Sequence, residues 1–321
     1  MALASLPMSA FAASSETISV GTIVKVRNDV NVRSRPDANA TLLGTADKNT
    51  KYAILDKDSG WYKVLYNGQT AYISAEYISV KKVKTKLSKD VTLKVGSFNV
   101  RALGNGTKAD DVAKLLKNAK LDVVGLQEVD SLASRSGRKD WPKLLAEKAG
   151  YPYYYFSAAI GLGGGEYGTL ILSKQPILAA ETIRLSTSGG EARSMGYVQL
   201  MTSKGVVHMF NTHTSNGSES QKATCFRSIQ EKIKDKGITA YFVTGDFNSS
   251  PNILKKYLGK GITAANDSHN TFGRGSAAKA IDNIVHTENV KVSNLKVTDA
   301  ISGGISDHSL LTASVKIPRK K

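Results

Sequence analysis

Polar residues of catalytic type recur in this chain at one kind of place, directly behind an apolar, strand-like run. Phe98 is followed by Asn99, Leu126-Gln127 by Glu128, and Phe210 by Asn211 and then His213. Val243-Thr244-Gly245 leads into Asp246 and Asn248, Ala280-Ile281 into Asp282, and Ser306 into Asp307-His308. If the strands pack as one layered core, such ends converge on one rim, where carboxylates, histidines and asparagines would gather. Hard oxygen donors suit Mg²⁺, and also Mn²⁺ or Ca²⁺, rather than zinc. Mg²⁺ takes one or two carboxylates together with phosphate oxygens, and a remaining carboxylate can activate water for in-line attack. The set reads as metal-assisted phosphoester hydrolysis. No Gly-rich loop followed by Lys-Ser or Lys-Thr is present, which argues against a P-loop nucleotidase. The glycines of 161–165 carry no such lysine and read as a flexible loop. The single cysteine, Cys225, can neither close an intrachain disulfide nor build a cysteine-based zinc site, and its place on an apolar helix face predicts core.

The elements that must position these residues alternate from Leu93 onward. Leu93–Phe98 and Asp122–Leu126 read as strands, separated by a helix with Val112, Leu115, Leu116 and Ala119 at helical spacing. Thr107 to Asp110 has the form of a capping box for that helix. Lys143–Lys148 predicts a second helix stopped by Gly150, and Glu219–Lys236 a third with Phe226, Ile229 and Ile233 inward. Strands fall at 170–172, 197–200, 206–210, 239–243, 284–285 and 310–311, and Ser250-Pro251 opens a short helix.

Residues 19–80 are different: short strands, an Asn67-Gly68 hairpin signal and no helical period. This predicts a small all-β barrel, with Trp61 and Tyr62 either lining a groove or buried. The stretch 30–36 (VNVRSRP), with 60–64 (GWYKV) and 68–73 (GQTAYI), resembles the bacterial SH3-like domain, which implies attachment to the cell wall. Residues 81–92 hold five lysines and read as a charged, partly extended linker. Residues 1–15 are small and uncharged, with Ala10-Phe11-Ala12 in the small-x-small order of a signal-peptidase site, so export is expected. No apolar run approaches the ~20 residues of a membrane span. Basic residues outnumber acidic ones by 13 to 8 over 1–90 and by 31 to 19 over 91–321, so each part carries a positive excess that attracts polyanions.

Six short motifs then stand in one order: 97–100 (SFNV), 126–130 (LQEVD), 211–214 (NTHT), 244–249 (TGDFNS), 281–284 (IDNI) and 306–308 (SDH). Together they resemble the endonuclease/exonuclease/phosphatase superfamily over residues 93–317. The resemblance implies an α+β fold, a four-layer α/β sandwich of two packed, mainly antiparallel sheets flanked by helices, here preceded by the SH3-like barrel. It also implies roles. Glu128 would be the main metal ligand with Asn99 and Asp307 nearby, and Asp246 would orient or deprotonate the attacking water. Asn248 would contact the scissile phosphate, and His308 would bind it or protonate the leaving oxygen while Asp282 holds its tautomer. His213 would be a second acid/base or phosphate contact, the alternative being a structural histidine. Asn211 and Arg193 would bind substrate, the alternative for Arg193 being a surface ion pair. The expected function is that of an exported, monomeric, Mg²⁺-dependent nuclease acting on DNA, with RNA left open, tethered to a wall polymer. A sphingomyelinase-type phospholipid phosphodiesterase is the alternative; it would need an exposed membrane hairpin, for which 151–156 (YPYYYF) is the candidate. A non-catalytic wall-binding protein is the second alternative.

Overall fold

The computed structural model describes residues 16–319; the signal-like segment 1–15 lies outside them. The N-terminal unit is a single sheet of seven strands: β1 (Thr17–Ile23), β2 (Asp29–Arg33), β3 (Leu42–Asp47), β4 (Lys51–Asp58), β5 (Trp61–Tyr66), β6 (Gln69–Ser74) and β7 (Ile78–Lys84), in the order β3-β2-β6-β5-β4-β1-β7. Asn67 and Gly68 both have positive φ, 49° and 79°, as a two-residue hairpin of matching twist requires. Alternate residues Val64, Ala71 and Ile73 are fully buried, whereas Trp61 and Tyr62 are both half-buried.

The lysine-rich stretch departs from the linker expected of it. Residues 81–84 belong to β7, which pairs along its whole length with β1. The next residues are pinned to the larger unit, Val206 N donating to Thr85 O (2.9 Å) and Ser88 N to Lys204 O (2.7 Å). Lysine charge governs only the side chains, which stay in water; the backbone between them is free to pair. The contact continues on both sides. Ile18, Val20 and Ala53 share a buried cluster with Leu178, Met201 and Val206. Tyr153 OH accepts from Lys51 N (2.9 Å), and its ring meets Tyr52 edge-on at 6.2 Å. The barrel is therefore packed on the larger unit through a common core.

In the larger unit β8 (Val91–Asn99), α1 (Ala109–Ala119), β9 (Val123–Ser131), α2 (Trp141–Ala149), β10 (Tyr153–Leu162), β11 (Gly165–Ser173), β12 (Ile177–Leu185), β13 (Arg193–Thr202) and β14 (Gly205–His213) follow in turn. Then come α3 (Glu219–Asp235), β15 (Tyr241–Asp246), α4 (Pro251–Tyr257), β16 (Ile262–Ala264), β17 (Asp282–Thr287), β18 (Lys291–Thr298) and β19 (Leu310–Ile317). They form two six-stranded sheets, β10-β11-β9-β8-β19-β18 and β12-β13-β14-β15-β17-β16. Each is antiparallel except at one central pair, β8 with β9 and β14 with β15, where a helical crossover reverses the return. Val198, Met209, Phe242, Ile171 and Leu311 interleave between the sheets. Leu116, Trp141 and Leu145 cover one outer face, and Phe226, Ile229 and Ile233 the other. The result is four layers. Gly125 marks how closely the sheets approach: a Cβ there would come within 2.1 Å of Thr244 Oγ1.

Two local expectations change. The capping box at Thr107 does not form; Thr107 Oγ1 donates to Gly104 O (2.7 Å), and α1 starts from Lys108 without a side-chain cap. Ahead of it, residues 101–105 run through five consecutive left-handed φ values, 46° to 56°. The 161–165 glycines make a tight turn rather than a flexible loop, since Leu162 pairs with Gly165 across Gly163 and Gly164.

Candidate active site

The two parallel pairs send β8, β9, β14 and β15 to the same rim, and the expected residues meet there. Asp246, the last residue of β15 and 1% exposed, is the centre. Its Oδ2 accepts from Asn99 Nδ2 (3.0 Å) and lies 3.5 Å from both His213 Nε2 and His308 Nε2. Its Oδ1 accepts from Asn248 N (2.9 Å). Asn99 Nδ2 also donates to Glu128 Oε1 (3.0 Å), so one amide braces two carboxylates. The Asn99 nitrogen, which has no free lone pair, faces the carboxylates, and Oδ1, the atom that could ligate a metal, accepts from Arg101 N (3.0 Å).

Glu128 reaches the rim through a β-bulge. Between Leu126 and Val129 two residues of β9 oppose one of β11, and Glu128 takes φ 57°, a left-handed conformation for which glycine is usual. Asn248 is held likewise at φ 47°. Non-glycine residues keep such backbone only where the surroundings impose it, and they cluster at active sites.

The two histidines are set differently. His308 Nδ1 lies 2.8 Å from Asp282 Oδ2, and Asp282 is wholly buried. Burial opposes charge on the ring, but Asp282 and then Asp246 and Asp307 outweigh it and push the pKa up to about 9. His213 instead faces Arg193 Nη1 (3.3 Å) at Nδ1 and Asn248 Nδ2 (3.0 Å) at Nε2. Burial, with Arg193 adding to it, takes its pKa down to about 4 despite Asp246. At neutral pH one ring is an imidazolium and the other is neutral, so His213 does not duplicate His308 as an acid.

Arg193 is 4% exposed and pairs with the half-exposed Glu191 Oε1 at 2.9 Å, so its ion pair reaches solvent only through the glutamate; its Nε has no partner. Asn211 is a correction. Fully buried, it donates to Leu126 O (2.9 Å) and Leu170 O (3.2 Å) and accepts from Gln127 Nε2 (2.7 Å) and Thr244 Oγ1 (3.0 Å). Its hydrogen-bonding capacity is spent tying one sheet to the other, so it cannot bind substrate. Gln127 and Thr244, its partners, went unassigned in the sequence because a brace between sheets leaves no spacing pattern.

Glu128 and Asp307 border an open cleft of about 600 Å³ that continues past Arg101, Lys108 and Arg135. Arg101 Nε approaches Asp307 Oδ2 at 3.4 Å. The Glu128 carboxyl is pushed above its usual range by burial and by the charges of Asp246 and Asp307, although Asn99 opposes the shift. An excess of anionic oxygen at the mouth of a polar cleft fits a hard divalent cation. Asp246, Asp282 and His308 also bring one donor atom each within 4.8 Å of one another. There, however, Asp282 Oδ2 is already engaged by His308 Nδ1 at 2.8 Å, whereas Glu128 and Asp307 border the open cleft, so their side is the better fit.

Comparison with known proteins agrees with this geometry. A family model described as the bacterial SH3 domain matches residues 28–79, and one described as the endonuclease/exonuclease/phosphatase family matches residues 95–308. A putative N-acetylmuramoyl-L-alanine amidase of Bacillus subtilis, YrvJ, is 28% identical over 141 residues, 40% of this chain but only 27% of that protein's length. Among solved structures, an endonuclease/exonuclease/phosphatase from Beutenbergia cavernae superposes with a TM-score of 0.61 at 20% identity, covering 72% of each chain. TDP2 of D. rerio complexed with single strand DNA product gives 0.55 at 17% identity, over 70% of this chain and 98% of that one. The mannosyl-6-phosphatase Bt3783 of Bacteroides thetaiotaomicron gives 0.54 at 17%, over 70% and 99%. With the motifs in order, the four layers in place and two thirds of its length matched, the chain belongs to the endonuclease/exonuclease/phosphatase family of hydrolases, carried behind a bacterial SH3-like barrel.

Proposed function

We propose that the protein is a wall-associated, divalent-metal-dependent phosphodiesterase whose substrate is DNA. The observation that carries this is the convergence on Asp246 Oδ2: an imidazolium, a neutral imidazole and the amide that braces Glu128 all lie within 3.5 Å of it. Glu128 and Asp307 would hold the cation, Mg²⁺ by donor chemistry, with Asn99 bracing Glu128 beside it. Bound there, the cation supplies Lewis acidity toward a phosphoryl oxygen. Asp246, held in place by Asn99 Nδ2 and Asn248 N, orients and deprotonates the attacking water. His308 carries the proton for the leaving oxygen, and Asp282 keeps the ring turned and charged. Asn248 Nδ2 donates to Thr214 O (3.1 Å) and lies 3.0 Å from His213 Nε2, so it would reach the scissile phosphate by exchanging one of these contacts, while burial, with Arg193 adding to it, keeps His213 neutral.

A polyanion is favoured by the basic cleft wall and by the excess of 31 basic over 19 acidic residues in 91–321. The lipid alternative loses its hairpin, since Tyr151, Tyr153 and Tyr155 are buried. The non-catalytic alternative fits poorly with strained backbone maintained at Glu128 and Asn248. Wall attachment through the barrel, and export by the leader-like residues, complete the reading. Plasmid DNA with Mg²⁺ is the test: cleavage should occur, and both chelator and His308→Ala should abolish it. Turnover of sphingomyelin without DNA cleavage would replace the reading. Sedimentation of the full chain with purified cell walls tests the attachment, and no retention would remove it.

A further inference from the structure

Three large apolar side chains stand exposed among the described residues, Leu42, Val80 and Leu132. Of these, only Leu132 also has a left-handed backbone, with φ 57°. Leu132 is 51% exposed, so it forgoes burial and carries backbone strain together. Its surroundings enforce both. Leu132 N donates to Lys139 O (2.9 Å) and Ser134 N to Gly163 O (3.2 Å). Gly165 lies so close behind that a Cβ there would come within 2.3 Å of the Leu132 carbonyl carbon. The 131–139 loop is thus clasped to the β10–β11 turn and its apolar tip held outward.

Cations flank that tip. Arg135, fixed by a bidentate pair with buried Asp130 (2.9 and 2.7 Å), lines the same cleft as Glu128. Arg138 and Lys139 follow on the loop, both exposed. Leu132 is four residues past Glu128, at most ~14 Å of chain, or about four base-pair steps of duplex.

We propose that Leu132 is a wedge that enters a base step of double-stranded nucleic acid beside the scissile phosphate, with Arg135, Arg138 and Lys139 on the flanking backbone. An aliphatic side chain unstacks a step by filling it, and basic neighbours hold the bent strand. This rests on the nuclease reading above and specifies its substrate as duplex.

The full chain is compared with Leu132→Gly, a change that suits φ 57° and therefore folds. The ratio of kcat/KM on duplex DNA to kcat/KM on bis(4-nitrophenyl) phosphate, which has no base stack, should fall ~10-fold, while Tm rises by ~2 °C. A merely structural leucine would lower Tm instead. In the Glu128→Gln background, a 2-aminopurine-labelled duplex should brighten on binding, and the added Leu132→Gly should remove that change. An unchanged ratio in a wild type that cleaves both substrates overturns the wedge alone. Loss of binding to anionic phosphatidylserine vesicles, with duplex cleavage intact, overturns it in favour of a lipid surface. A wild type that hydrolyses neither phosphodiester overturns the nuclease reading and the wedge with it.

Discussion

Replacing Asp282 by Asn tests whether His308 is the proton carrier. The substitution keeps an oxygen that can accept from Nδ1, now 2.8 Å from Asp282 Oδ2, but removes the charge. In the wild type, burial is overcome by Asp282, Asp246 and Asp307, and the pKa stands at about 9 against an ordinary 6.5. At ~1.4 kcal/mol per tenfold, that gap is about 3 kcal/mol. Because the folded value is raised, this stabilisation is complete below about pH 6.5 and is lost as pH climbs through 9. Without the Asp282 charge, burial is opposed by Asp246 and Asp307 alone, and the pKa of the ring should fall. Plasmid relaxation followed from pH 5.5 to 10 should show a ~10²- to 10⁴-fold loss in Asp282→Asn at neutral pH. Its alkaline limb should move down from near 9. At pH 6 the variant should melt ~5 °C lower, with the difference closing toward pH 10. A variant within threefold of wild type, or one whose alkaline limb stays near 9, refutes the assignment.

Glu128→Gly relieves the left-handed strain at φ 57°, so it should raise stability by ~1 kcal/mol in denaturant titration while DNA cleavage vanishes. Tyr153→Ala removes the partner of Lys51 N and Tyr52; calorimetry should show a loss of about 3 kcal/mol and one melting transition separating into two. His208 is held neutral by burial, its pKa down at about 4. Stability should therefore fall as pH drops from 6.5 toward 4, where only the unfolded chain takes up the proton, and thermal melts of His208→Gln should be flatter across that window.

The sequence by itself determined much of this molecule. Apolar runs leading into Asn99, Glu128 and Asp246 disclosed both the layered core and its functional rim, because strand burial and site chemistry each impose a residue type at a fixed place. Asn67-Gly68 disclosed the barrel's hairpin for a similar reason, since few residues tolerate that turn. Tertiary structure decided what depends on partners distant in the chain. Asn99 and Asn211 look alike in sequence, yet one braces the site and the other is spent between sheets, because each role is fixed by which groups face the amide. His213 and His308 are likewise both buried, and differ because carboxylates, Asp282 first, outweigh burial at one ring while Arg193 adds to it at the other. The lysines of 81–84 became an edge strand because β1 was there to pair with it. Backbone strain at Glu128 and Leu132 has no one-dimensional signature, since the packing that holds it comes from other elements.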